Sequence, residues 1–217
     1  MQLIDLSHTI EDGMITYKGL PAPLICDHLS RAQSREIYAA GTEFQIGKIT
    51  MVSNTGTYID SPFHRYADGA DLAGLGLHSL VALDTVVVTA REGERTVGPE
   101  AFADLDVTGK AVLVHTGWSR HWRTDQYFEG HPHLTKAAAE HLRRARAALV
   151  GIDSYNIDST TDLTRPVHTV LLAAGIPIVE HMCGLEQLPA AGCRFSAVPP
   201  KVKGMGTFPV RAYAVVP

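Results

Sequence analysis

The stretch Ser53-Asn54-Thr55-Gly56-Thr57-Tyr58-Ile59-Asp60-Ser61-Pro62-Phe63-His64 holds a carboxylate and an imidazole four residues apart. That pair can exchange a proton or share a metal ion. Asn-Thr-Gly-Thr is turn chemistry, with Gly56 free to take a positive φ. Asp60 ahead of Ser61-Pro62 could cap a helical turn that returns His64 to the carboxylate. A capped turn with a solvated histidine would account for the stretch equally well. Further on, His168 and Glu180 lie twelve residues apart. A short helix and a returning strand of that length can bring both to one end of a sheet, where a buried carboxylate needs a metal, a cationic His or an Arg as partner.

The elements that must position these groups alternate between strand and helix. Strands are expected at Leu3–Leu6, Ile46–Val52, Leu83–Thr89, Ala111–His115, Ala148–Ile152, Ile176–Val179 and Val210–Val216. In the last, Val210, Ala212, Ala214 and Val216 alternate with Arg211 and Tyr213, the period-two pattern of a strand with one wet face. Helices are expected at Thr135–Ala147, with Thr135 as N-cap, and at His168–Ala174, closed by Gly175 before Pro177. The loops Gly69–Leu77 and Trp118–His133 read as binding surface.

The chain has 217 residues, of which 45% are hydrophobic and 19% charged. That suits one compact domain spanning 1–217. A formal charge of -4, with no cluster of cations interleaved with aromatics, argues against nucleic acid as a partner. No basic leader and no apolar run of membrane-spanning length is visible, so a soluble, cytoplasmic protein without a membrane partner is expected. Cys26, Cys183 and Cys193 form no CxxC pair and read as structural thiols.

Asn54-Thr-Gly-Thr-Tyr58-Ile-Asp60-Ser-Pro-Phe-His64, with His168 and Glu180 at their spacing, resembles the cyclase family that includes bacterial kynurenine formamidases. The family loop has the form His-Thr-Gly-Thr/Ala-His-x-Asp-Ala/Ser-Pro-x-His. The resemblance extends to Ile4-Asp5-Leu6-Ser7-His8, His115-Thr116-Gly117-Trp118, Gly151-Ile152-Asp153-Ser154 and Pro209-Val210-Arg211-Ala212. It implies an α/β fold with a mixed, barrel-like sheet flanked by helices, of the swivelling β/β/α type. It also implies a homodimer or homotetramer in which one subunit helps close another's pocket.

The same resemblance implies catalytic roles for Asp60, His64 and Glu180, and a divalent metal, zinc or manganese, at Asp60, His168 and Glu180. Asn54 and Tyr58 stand where the family has two histidine ligands. An amide oxygen is a weaker donor than imidazole, and a phenol must lose a proton of reference pKa about 10 to ligate as phenolate. One ion at the remaining trio is therefore expected, or none if the site is degenerate. With a metal, the expected activity is hydrolysis of a small amide, ester or lactone, as in arylformamidases, with His64 as acid/base. Without one, a metal-independent cyclase, isomerase or dehydratase is the alternative, with Tyr58 donating to an oxyanion as a neutral phenol. A non-catalytic small-molecule binder is the third reading. Trp118, Phe63 and Asn54 are the candidate substrate contacts, with Trp122 and Tyr66 beside them. His131-Pro-His133 is a weaker metal candidate.

Overall fold

The computed structural model describes residues 1–91 and 93–217. Its thirteen strands are β1 (Gln2–Asp5), β2 (Leu24–Leu29), β3 (Ile46–Thr50), β4 (Tyr58–Asp60), β5 (Leu83–Thr89), β6 (Thr96–Val97), β7 (Ala111–His115), β8 (His133–Leu134), β9 (Leu149–Ile152), β10 (Ile178–Glu180), β11 (Ala191–Ser196), β12 (Thr207–Pro209) and β13 (Tyr213–Val216). Three α-helices accompany them: α1 (Arg31–Ser34), α2 (Lys136–Arg144) and α3 (Pro166–Ala173).

Nine strands form one mixed, half-barrel sheet in the order β1-β13-β11-β5-β7-β9-β10-β4-β12. At its centre β5, β7, β9 and β10 run parallel. Strands β7 and β9 are apolar along almost their whole length because both faces of the sheet are covered. One face carries Val112, Val114, Val150 and Ile152 against Ala138 and Leu142 of α2 and Leu171 of α3. The other packs Leu113, Leu149 and Val179 against Ile4, Leu6, Ile59 and Phe195.

The α/β class and the mixed sheet agree with expectation, and β5 and β7 occupy the expected spans. The Thr135 hydroxyl accepts from the Ala138 amide and starts α2 as predicted. The closing segment alternates as read, with Val210, Ala212 and Ala214 buried and Arg211 and Tyr213 exposed.

Asp60 departs from expectation. It is no cap: Tyr58–Asp60 is a short buried strand paired to β10 on one side and β12 on the other. Ser61 takes the N-cap position of the 3-10 turn Pro62–His64, without a side-chain cap bond. Three residues between two neighbours give too short a pattern to announce a strand. Among the described residues no helix is long and apolar enough to cross a membrane.

Candidate metal and acid/base centre

Strand pairing does the assembling. In the antiparallel β4/β10 ladder Tyr58 stands opposite Glu180, and in β4/β12 Asp60 stands opposite Thr207. The turn after β4 swings His64 back over Asp60. This return needs Gly206, where a Cβ would sit 2.5 Å from the His64 Cα and amide nitrogen. Helix α3 then brings His168 in from the other side.

The Asp60 carboxylate is fully buried. The Thr207 hydroxyl donates to its Oδ1 and lies 2.8 Å from His64 Nδ1. A hydroxyl has one hydrogen, and a carboxylate can only accept, so Thr207 must accept from His64 Nδ1–H. In the neutral ring Nε2 is then the basic nitrogen. The second Asp60 oxygen, Oδ2, is buried with no hydrogen-bond partner and lies 3.5 Å from His168 Nε2. His168 is oriented by Asp158: Oδ2 accepts from ring Nδ1 at 2.7 Å and from the His168 backbone amide at 3.0 Å, while Oδ1 accepts from the Val167 amide at 2.7 Å.

One carboxylate thus caps α3 and fixes an imidazole tautomer, the arrangement that commonly backs a metal-ligating histidine. The ligand atoms of Asp60, His64 and His168 lie within 4.8 Å of one another, the one such grouping among the described residues. An orphaned buried carboxylate oxygen facing a pre-oriented imidazole fits a divalent cation.

Glu180 stands beside this group, its Oε1 3.8 Å from His168 Nε2. Oε1 accepts from the Ile157 amide at 2.6 Å, and Oε2 accepts from the Tyr58 hydroxyl at 2.6 Å. Burial pushes its carboxyl up to about 7, against the lowering pull of His168 and reinforced by Asp60. Burial would raise Asp60 too, but His64 and His168 outweigh it and hold that carboxyl low. Burial opposes charging of His168, yet Glu180, Asp158 and Asp60 overcome it and raise the imidazole to about 10, so without a metal Nε2 carries a proton that a divalent ion would displace. Tyr58 is fully buried, and desolvation together with Glu180 and Asp60 pushes its phenol well above the usual range. It is a neutral donor to Glu180 rather than a phenolate ligand.

These groups open onto a cleft of about 290 Å³ lined by Asn54, Tyr58, His64, His168 and Glu180, with Tyr17, Leu20, Arg65, Asn156 and Arg165. The structure thus brings together Asn54, Tyr58, Asp60, His64, His168 and Glu180, as the sequence led one to expect. Trp118 and Phe63 are not in the lining: Trp118 is half-buried and donates Nε1–H to the Tyr127 carbonyl, which ties down its own loop. His131 contacts the Asp158 carbonyl, and His133 contacts the His131 carbonyl. The three cysteines are free.

Asp158, Thr207 and Arg165 were missed. Asp158 lies four residues after the recognised Gly151-Ile-Asp-Ser block, and no local pattern singles it out from Asp162, which stands nearer the Pro-started helix. Nothing local marks Thr207.

The family model described as "Putative cyclase" matches residues 4–159, and the chain belongs to that family. It is similar to the kynurenine formamidase of Geobacillus thermodenitrificans, 27% identical over 212 residues that cover 96% of this chain and 95% of that protein. The kynurenine formamidase of Bacillus cereus is 26% identical over 211 residues, with the same coverage of 96% and 95%. Among solved structures, isatin hydrolase A from Labrenzia aggregata bound to benzyl benzoate superimposes with a TM-score of 0.82 at 22% identity, covering 99% of this chain and 93% of that one. A structure described as a potential metal-dependent hydrolase with cyclase activity gives 0.80 at 24%, covering 98% and 96%.

Proposed function

We propose that this protein hydrolyses the C–N bond of a small amide, with one divalent ion bound at Asp60, His168 and Glu180. The observation that carries the reading is the buried Asp60 Oδ2, without a hydrogen-bond partner, 3.5 Å from a His168 Nε2 whose other nitrogen is fixed by Asp158. Relatives named kynurenine formamidase and fold neighbours named isatin hydrolase support amide hydrolysis. An ion held there would polarise the carbonyl and acidify a water.

The chain's own groups divide the remaining work. Glu180 Oε1 retains a second lone pair after accepting from Ile157, so it can complete the ligand set. His64, with Nδ1–H given to Thr207, keeps Nε2 free to take a proton and to return it to the leaving nitrogen. Zinc or manganese suits one imidazole and two carboxylates.

The test is metal analysis of purified protein, with formamide hydrolysis followed before and after chelation. One ion per chain, with activity lost on chelation and restored by zinc or manganese, is expected. Undiminished turnover without metal would transfer the reading to metal-independent chemistry. Glu180→Gln should weaken metal binding more than His64→Gln; the reverse order would make His64 the third ligand, as its place in the cluster allows.

The arm formed by β2 and β3 supports a homo-oligomer. It pairs outside the main sheet and exposes Leu24, Ile25, Ile46 and Ile49, with Phe44 beside them. Ile25 and Ile49 pair directly across the two strands, and exposed apolar side chains on such an arm are what a second copy would cover. Sedimentation gives the dimer or tetramer directly. A small-molecule substrate and cytoplasmic location belong to the same proposal.

A further inference from the structure

The cleft is electrically divided. Its floor holds Asp60 beneath the lining carboxylate of Glu180, both buried. Its lining also includes two arginines, half-buried Arg165 and exposed Arg65. Arg65 follows the 3-10 turn that carries His64, and Arg165 immediately precedes α3, which carries His168. Each cation is thus attached to the element that delivers a histidine of the centre.

Among the described residues neither arginine forms an ion pair, so no carboxylate of the chain occupies either guanidinium in the cleft. Arg165 donates Nη1–H to the Ser159 carbonyl at 3.0 Å, and Arg65 makes a long contact of 3.4 Å from Nε to the Thr169 hydroxyl. Both retain guanidinium N–H groups for another acceptor.

Arg165 also occupies the left-handed region, φ 47 and ψ 61, at the N-cap of α3. That conformation costs a non-glycine residue on the order of 1–2 kcal/mol, and such strain gathers at ligand clamps. Neither Gly nor Asn, which would relieve it, stands there.

We propose that Arg65 and Arg165 form an anion clamp, and that the substrate is a small amide bearing a carboxylate. This deepens the hydrolase reading and rests on it for the word amide. With a divalent ion offsetting Asp60 and Glu180, the two guanidiniums are the uncompensated cations of the cleft lining, so the carboxylate points toward the arginines and the amide carbonyl toward Asp60 and His168. Planar guanidinium matches a carboxylate through paired hydrogen bonds, where lysine would supply only a point charge. The volume, about 290 Å³, lies at the lower limit for ligand pockets and suits a single-ring molecule.

Two measurements test the clamp. The first needs no catalysis: titrate the metal-loaded protein with benzoate and with benzamide at low and high salt. Benzoate should bind at least about tenfold more tightly, as a charge-assisted pair implies. Arg165→Met and Arg65→Met should each shrink that preference, and Arg165→Lys should retain part of it. Met at 165 keeps the left-handed penalty, so backbone strain is held constant. If benzoate bound only through the metal, Arg165→Met would leave the preference intact and overturn the proposal.

The second measurement is the ratio of kcat/KM for 3-formamidobenzoate to that for its methyl ester, expected well above one and near one in the double variant. Hydrolysis of both with equal ratios in wild type and double variant refutes the clamp and spares the hydrolase. Arginine-dependent benzoate binding without hydrolysis of either compound refutes the hydrolase and spares the clamp.

Discussion

Replacing Asp158 by Asn should damage both the start of α3 and the proposed metal centre, although the two side chains are the same size. The Asp158 carboxylate is buried and accepts three hydrogen bonds, from the Val167 amide, the His168 amide and His168 Nδ1. Asparagine offers one oxygen and one NH2. With the oxygen kept toward His168, the NH2 meets the Val167 N–H and that bond becomes a donor–donor contact; flipped, the NH2 faces two donors. The first arrangement is better. It forfeits one cap bond, worth about 1 kcal/mol, and turns two charge-assisted bonds into neutral ones, at about 1 kcal/mol each.

Asn in place of Asp158 should therefore destabilise the fold by about 3 kcal/mol. His168 would keep an acceptor at Nδ1 but lose its negative charge, which should weaken metal binding about 10-fold. Urea unfolding gives the first quantity, and competition against a chromophoric chelator gives the second. A variant with wild-type unfolding free energy and wild-type metal affinity would refute the argument that Asp158 orients His168. Loss of stability alone would reduce Asp158 to a helix cap.

Gly206→Ala places a Cβ against the His64 backbone at 2.5 Å, so it should cost on the order of 1–3 kcal/mol and lower kcat more than an alanine at exposed Gly204; equal kinetics for the two would show that the close approach is immaterial. Tyr58→Phe strips Glu180 of its 2.6 Å donor. In the metal-free protein its stability deficit, about 1–3 kcal/mol, should be larger at pH 8 than at pH 5, because Glu180, raised to about 7, is ionised only at the higher pH; a pH-independent deficit contradicts this. Burial lowers His8 to about 4 and His181 to about 3, the latter aided by His8. Both stay neutral when folded, while the unfolded chain takes up protons below about 6.5, so stability should fall as pH drops from about 6.5 toward 4. His8→Gln should flatten that acid limb, by about 2 kcal/mol at pH 5; an unchanged limb would count against it. Asn54→His together with Tyr58→His should tighten metal binding, and an unchanged affinity in the chelator assay would show that these two positions do not limit it.

The α/β class, the central strands and the start of α2 were legible because each rests on a local pattern: runs of buried Val and Leu, period-two alternation, a threonine cap. The candidate residues Asp60, His64, His168 and Glu180, which the structure brings together, were named through spacing and family resemblance. What those residues touch was decided by pairing between distant segments. The β4/β10 ladder sets Tyr58 against Glu180, and β4/β12 sets Asp60 against Thr207 across 147 positions. Asp158 reaches His168 only once α3 has docked, and Arg65 and Arg165 share a cleft only once the Pro62–His64 turn and α3 converge. The chain by itself offers the candidate acids and bases of this cluster. Their protonation, their orientation and the cations beside them follow from contacts far apart in sequence, which no local propensity or spacing encodes.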